Sequence, residues 1–319
     1  MKRYHLLISL VLAALFVIGP GCGVLQGATG KLKVVTTLFP QYDFVQEIGK
    51  DKVAATLLLP PGVEPHSFEP SPQDIVGIRK ADVFVYTGEY MEPWAHKVIE
   101  GVKGKKIVIV DTSRGIELMK EEEEHEDHDE HEGEEEHHHH GGKDPHIWLD
   151  PVLARQMVSN IVAGLAKADP QHAAFYKQNG AAYQKRLQKL DREFAAAFAK
   201  ARTKTIIYGG HFAFGYFAKR YGLKYISPYS GFAPDAEPTP QRIAELIKTI
   251  KKTGTKVIYY EELIDPKVAK VIADQTGAKM LLLHGLHNIS KAELKAKVSY
   301  VTLMEGNLER LKQGLGYGG

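Results

Sequence analysis

Of the fifteen histidines in this 319-residue chain, four stand where chemistry is easiest to build. His66 lies in the proline-rich stretch PPGVEPHSFEPSP, just after the apolar run ATLLL. His211 follows TIIYGG directly, His284 closes AKMLLL, and His146 sits in DPHIWLDP ahead of a long helical pattern. A single histidine in such a place is more often a hydrogen-bonded structural residue. Several in corresponding positions point to a shared ligand, and imidazole is a common metal donor. Four nitrogen donors without a thiolate suit tetrahedral Zn²⁺, whereas Ca²⁺ or Mg²⁺ would need an oxygen-rich cage. His287, three residues past His284 in a glycine-containing turn, is the weaker member. It or a water takes the fourth position if His284 is misplaced. Asp144, Glu261 and Glu262 could orient imidazole N–H groups from behind the donors. Asp150, before Pro151, reads better as a helix start. His96 and His172 fall in helical patterns and His5 in a leader, so none of these three joins the set.

The elements that must carry these residues alternate. KVVTTL, ATLLL, DVFVYTG and KIVIVD read as buried strands in the first half, and KTIIYGG, LKYIS, KVIYYE and AKMLLL in the second. Helical segments lie between them, with Pro72 and Pro93 at positions a first helical turn accepts. Strand–helix alternation implies parallel sheets covered on both faces, and ligands in such sheets bind beyond the carboxyl ends of the strands. Between the halves, about thirty residues of strong helix formers are interrupted only by Asn179-Gly180 and would span roughly 45 Å as one helix. The expected fold is α/β: two Rossmann-like lobes with parallel sheets, joined by one long rigid helix. The expected boundaries are a signal at 1–21, a tether at 22–30, an N-terminal lobe at 31–168, the connecting helix at 169–202 and a C-terminal lobe at 203–319.

Two segments stand outside that scheme. Residues 121–140 (EEEEHEDHDEHEGEEEHHHH) hold seven histidines and a formal charge of −12, with no apolar periodicity. This run reads as part of a disordered insertion at 120–143 in the first lobe, whose histidines (His125, His128, His131, His137, His138, His139 and His140) bind metal weakly as an accessory to the main site; a sensor of abundant zinc and a solubilising linker are the alternatives. The net charge is +2, so the rest of the chain carries +14. Its Lys and Arg are scattered over helices, and no nucleic-acid motif accompanies them. At the other end, Lys2 and Arg3 precede a short apolar stretch and then Cys22, the sole cysteine. This pattern reads as an export signal followed by a lipidation site, placing the protein outside the cytoplasm on a lipid anchor.

Together, TTLFPQYDFVQEIG, LLPPGVEPHSFEPSPQDI, ADVFVYTGEYMEPW, DPHIWLDP, GGHFAFGYFAKRYGL and DAEPTPQRIAEL resemble the metal-binding solute-binding proteins of bacterial ABC importers, specifically the zinc-uptake type. The resemblance runs from about residue 31 to 315. It implies a metal site in the cleft between two lobes, with ligands at His66, His146 and His211. Histidine at the third position goes with zinc and glutamate with manganese. The fourth position is usually an Asp in a segment like LLLHGL, and here it falls on His284. The implied partners are a membrane permease and its cytoplasmic ATPase, with Zn(II) as cargo to a monomeric protein and no enzymatic activity. Three alternatives differ in chemistry or biology: a manganese-type binder, a surface adhesin or metal buffer, and a zinc hydrolase using Glu262 or Glu69 as base. No HExxH helix, nucleophile elbow or phosphate loop supports the last.

Overall fold

The structure, a computed structural model, describes residues 30–120, 142–211, 213–229 and 238–317. The leader, Cys22 and the histidine-rich run lie outside these. All eight strands read from the sequence are present. In the first lobe β1 (Leu32–Thr36), β2 (Val53–Leu57), β3 (Val83–Tyr86) and β4 (Val108–Asp111) form a parallel sheet in the order β2-β1-β3-β4. Val34 pairs with both Ala55 and Val83, so β1 is flanked on both sides. Alternate residues feed two separate cores, as the two-residue repeat of a strand requires. Val34, Val83 and Val85 face α1 (Phe39–Gly49) and α4 (Pro151–Ala168), packing with Phe44, Ile48 and Met157. Val35 and Phe84 face α2 (Pro72–Arg79) and α3 (Ala95–Glu100), packing with Ile78, Ala95 and Val98.

The second lobe repeats this plan. β5 (Thr205–Ile207) pairs in parallel with β6 (Lys224–Ile226), and β7 (Val257–Tyr260) with β8 (Lys279–Leu282). A parallel bridge from Tyr208 to Tyr259 joins the two pairs. Ile207 and Ile258 turn toward α7 (Pro240–Thr253) and α8 (Lys267–Thr276), which bury Leu246, Ile250 and Ile272 against them. On the other face Ile206 and Tyr259 join the same core as the first lobe, which also holds Phe217 of α6 (Gly215–Tyr221).

The connecting helix α5 (Ala173–Ala199) has 27 residues, or about 40 Å of length. Its buried face runs Tyr176, Gly180, Tyr183, Leu187, Leu190, Phe194, Ala197: alternating steps of four and three that keep one seam turned inward. Asn179-Gly180 does not interrupt it. Gly180 lies where a Cβ would collide with Val162 on α4, and Asn179 Nδ2 donates to Ile48 O at 2.9 Å. Two helices had not been read from the sequence, α9 (Lys291–Ala296) and α10 (Tyr300–Gly314), each opened by a serine capping box. Although α10 follows the second-lobe strands, its Tyr300 ring packs against Phe44 of α1 and its hydroxyl donates to Trp148 O at 2.6 Å.

The lobes are also tied directly. Trp148 Nε1 donates to Gly285 O at 2.8 Å. Tyr216 of α6 donates to Asp144 O at 2.7 Å and accepts from Met119 N at 2.8 Å. Arg220 of α6 pairs with Asp150, which also caps α4 by accepting from Val152 N. Shared core and cross-lobe bonds together oppose wide hinge motion. Among the described residues, no helix is long and apolar enough to cross a membrane.

Candidate metal centre

Parallel strands leave their carboxyl ends on one edge, and both sheets turn that edge toward the same place. His66 comes from the loop after β2, His211 from three residues beyond the Tyr208 bridge, and His287 from the turn after β8. His146 enters from the short turn of 3-10 helix, Ile147–Leu149, that leads into α4. One ring nitrogen from each of these four lies within 4.8 Å of the others. Their six ring-centroid separations all fall between 5.0 and 5.8 Å, a nearly regular tetrahedron. His66 Nε2 and His146 Nε2 are 3.2 Å apart. Tetrahedral zinc with Zn–N near 2.0–2.1 Å requires about 3.3 Å between donors, so that edge already has the right length.

Behind the donors stand carboxylates. Asp144 Oδ1 accepts from His146 N at 2.9 Å and lies 2.8 Å from its Nδ1, both residues being fully buried. Glu261 accepts from His211 N at 3.1 Å, and its other oxygen is 2.5 Å from His211 Nδ1. Glu262 Oε1 is 3.6 Å from His287 Nδ1, and Oε2 accepts from Gly285 N at 2.6 Å. The Asp144 contact fixes the His146 ring so that its second nitrogen faces inward, and Glu261 and Glu262 lie on the Nδ1 sides of His211 and His287. Nε2 of His211 and of His287 are buried without a hydrogen-bond partner among the described residues. Unprotonated nitrogens orphaned at the centre of four imidazoles are lone pairs without a partner, the arrangement a cation satisfies. Trp148 closes one wall, its ring 5.3 Å from His146 and 5.2 Å from His287.

Electrostatics divide the set. Burial, then the neighbouring imidazoles, hold His66 and His146 well below the usual histidine range, so both stay in the neutral form that metals bind. Burial acts the same way on His211, but the adjacent Glu261 and then Glu262 outweigh it and leave its pKa raised. Burial pushes Asp144 up to about 7. Burial would also raise Glu262, yet His284 and His287 overcome it and hold that carboxyl at about 2.

This geometry has relatives. Residues 34–314 match the family model described as zinc-uptake complex component A, periplasmic, or ZnuA. The chain belongs to that family. It is 43% identical over 311 residues to the high-affinity zinc uptake system protein ZnuA of Bacillus subtilis, covering 96% of each chain. It is 41% identical over 89% of its length to the zinc-binding protein AdcA of Streptococcus pyogenes, but spans only 56% of that longer protein. Among solved structures, the Zn(II)-bound ZnuA-like domain of Streptococcus pneumoniae AdcA superposes with a TM-score of 0.75 at 34% identity, over 90% of this chain and 99% of that one. The ZnuA family is one of substrate-binding transport proteins.

Of the four histidines singled out from the sequence, the structure brings together His66, His146 and His211, and it completes the group with His287 rather than His284. The reason lies in the turn that follows β8. His284 still carries strand hydrogen bonding into α10: its N–H donates to Asn307 Oδ1, and Asn307 Nδ2 donates back to its carbonyl, both at 2.8 Å. Its Nδ1 accepts from Leu286 N at 2.9 Å, and its Nε2 is 3.4 Å from Glu293 Oε1. That ring is a buttress. Leu286, buried with φ of 57°, then reverses the chain and swings His287 into the cluster. A non-glycine residue at positive φ leaves no signature in a single sequence.

Asp150 is a helix cap, and Asp144, Glu261 and Glu262 stand behind donor rings. Sequence reading missed Glu64. Its carboxylate accepts from His66 N at 2.9 Å and from Ser67 N at 2.8 Å. The repeated acid–Pro–His pattern, Glu64-Pro65-His66 and Asp144-Pro145-His146, was the signal available. The accessory histidines of residues 121–140 lie outside the described residues. Their run is closed at its base by an antiparallel bridge between Lys120 and Lys143, immediately before Asp144.

Proposed function

We propose that this chain captures Zn²⁺ outside the cytoplasm with His66, His146, His211 and His287 and delivers it to the membrane permease of an ABC importer. The single observation that carries this reading is the closed set of four imidazoles, three of them with a carboxylate behind the ring. Four nitrogen donors fill a tetrahedral shell, matching zinc and leaving no open position for a hydrolytic water. A site for manganese would favour oxygen donors. The relatives named above as zinc-uptake and zinc-binding proteins support the same cargo.

The chain's own groups supply the steps. Neutral His66 and His146 are ready to bind, and Glu261 stands beside the His211 ring. Asp144, Glu261 and Glu262 keep the rings aligned and balance the cation's charge. With the lobes tied across Trp148–Gly285, Tyr216–Asp144 and Arg220–Asp150, release proceeds through the half-buried His66 loop rather than by lobe rotation. The division into lobes at 31–168 and 203–319 with a connecting segment at 169–202, a lipid anchor at Cys22, a monomeric state, and an accessory role for the histidine-rich run all belong to this reading.

Competitive titration with zinc and manganese tests it. The wild type and a deletion of residues 121–140 should share one tight zinc site, the deletion losing only weaker ones, while His66→Ala and His287→Ala lose tight binding. Full affinity in His287→Ala with loss in His284→Ala would return the fourth position to His284. Full affinity in His66→Ala would remove the cleft assignment altogether.

A further inference from the structure

Two buried asparagines serve the His284–His287 turn, and they do so differently. Asn307 works inside the second lobe, holding His284 to α10. Asn288 reaches into the first lobe. Fully buried, it donates from Nδ2 to Pro60 O at 2.7 Å and to Val63 O at 2.9 Å, across more than 220 residues of sequence. Its Oδ1 is occupied by Ile289 N at 2.8 Å. The amide therefore has one allowed orientation: a flip would oppose oxygen to two carbonyls and NH₂ to an N–H. Two main-chain bonds flank it, Gly62 N to Ile289 O at 3.0 Å and Phe39 N to His287 O at 3.3 Å.

These ties meet two of the clustered histidines, His66 and His287. Pro60 and Val63 form the base of the loop whose tip is His66, and Asn288 is the residue after His287. Beyond Val63 that loop is capped by its own Glu64. The side chain thus grips the fixed end of one donor loop and the segment carrying another. The two rings it serves have centroids 5.6 Å apart and belong to different lobes.

We infer that Asn288 is a positioning residue for the metal site, setting the separation of His287 from the His66 loop so that donors from two lobes act as one set. The inference rests on the four-histidine reading. Asn288→Asp is nearly isosteric but turns an acceptor toward both carbonyls. Asn307→Asp is the matched control, removing one buried donor from His284, a ring outside the cluster. Zinc dissociation rate, the visible spectrum of the Co²⁺-loaded protein and the melting temperature without metal are measured on the whole mature chain. Asn288→Asp should release zinc about tenfold faster or more, the range found when groups that orient ligands are removed. Its Co²⁺ bands should weaken as four-nitrogen tetrahedral coordination is lost. Asn307→Asp should lower the metal-free melting temperature while keeping wild-type dissociation and spectrum. Should Asn288→Asp fail to fold, Asn288→Ser, which keeps one donor, is read instead. Wild-type dissociation and spectrum in the folded Asn288 variant would overturn the inference, even with a lowered melting temperature. His287→Ala separates the two failures. If it also leaves zinc and Co²⁺ binding intact, the four-histidine reading falls; if it loosens them while the Asn288 variant does not, only this inference falls.

Discussion

Two tripeptides of the same pattern carry two of the four clustered histidines and hold them with unequal firmness. In Glu64-Pro65-His66 and Asp144-Pro145-His146 the acid accepts the N–H of the histidine two residues on, at 2.9 Å in both. Proline between them restricts the preceding acid to extended backbone and favours the turn. There the likeness ends. The shorter Asp144 side chain keeps its oxygen over the His146 ring, 2.8 Å from Nδ1. Glu64 is one methylene longer and sends its second oxygen to Ser67, N at 2.8 Å and Oγ at 3.0 Å. Among the described residues, no carboxylate reaches the His66 ring. His146 is fully buried while His66 is only half-buried. On the proposed reading, one turn builds a fixed donor and the other a donor that can leave.

The comparison breaks most directly on the two ligands themselves. Structural zinc sites contribute about 10–16 kcal/mol, so four equal donors share about 3 kcal/mol each. His146→Ala should exceed that share and weaken zinc binding about a thousandfold, or by about 4 kcal/mol, in competition with a chromophoric chelator, because its loss opens a buried hole. His66→Ala should cost about a hundredfold, since water reaches its half-exposed position. Equal losses would erase the distinction.

The buried acid of the fixed turn also titrates. Asp144 is pushed up to about 7 by burial, against 3.8 in the unfolded chain. Below about pH 4 it is protonated in both states, so no difference arises. As pH rises toward 7 the unfolded chain has released a proton the native fold retains. The metal-free wild type therefore loses stability relative to Asp144→Asn by about 1.4 kcal/mol per pH unit, levelling off above 7. Denaturant unfolding of both proteins at pH 5, 6, 7 and 8 measures it. Bound zinc, which favours the carboxylate, should flatten the difference; a flat difference without metal would mean Asp144 is ionised before metal arrives.

Removing each acid gives a smaller contrast. Asp144→Ala should lower zinc affinity ten- to a hundredfold, as for other groups that orient a ligand ring. Glu64→Ala loses hydrogen bonds in a surface turn and should cost about fivefold. Isothermal titration of the two variants with zinc in a competing buffer decides between them. A larger loss in Glu64→Ala would reverse the assignment of fixed and movable donors.

How much of this was legible depended on how local each signal was. Eight strands were readable because sheets covered on both faces leave continuous Val/Ile/Leu runs, and the connecting helix because its apolar steps repeat over 27 residues. Three of the four clustered histidines were readable because each sits in a loop that follows a strand or opens a helix. His287 was legible only as a substitute, because its entry into the cluster depends on Leu286 at φ of 57°, a backbone conformation that a single sequence does not announce. Asn179-Gly180 resembled a break because its reason, contact with Val162 on a neighbouring helix, is tertiary. The Glu64 cap was visible in the repeated tripeptide yet unremarkable without the distances.

The finest contrast concerns motion. If His66 is the donor that leaves, stripping the metal should loosen residues 64–68 and little else. The base of that loop stays bonded through Asn288 to Pro60 and Val63, and His146 stays held by Asp144 and by the Trp148–Gly285 bond. At the tip, His66 and Ser67 rely on Glu64 and the metal, while Phe68 packs against Trp94. Amide hydrogen exchange with and without zinc should therefore rise severalfold at 64–68 on metal removal, with residues 144–150 and α5 unchanged, since local opening needs only the bonds of that segment to yield. Increased exchange spread across both lobes and α5 would point instead to a hinge. That outcome would place the yielding element in the lobe contacts and not in the loop.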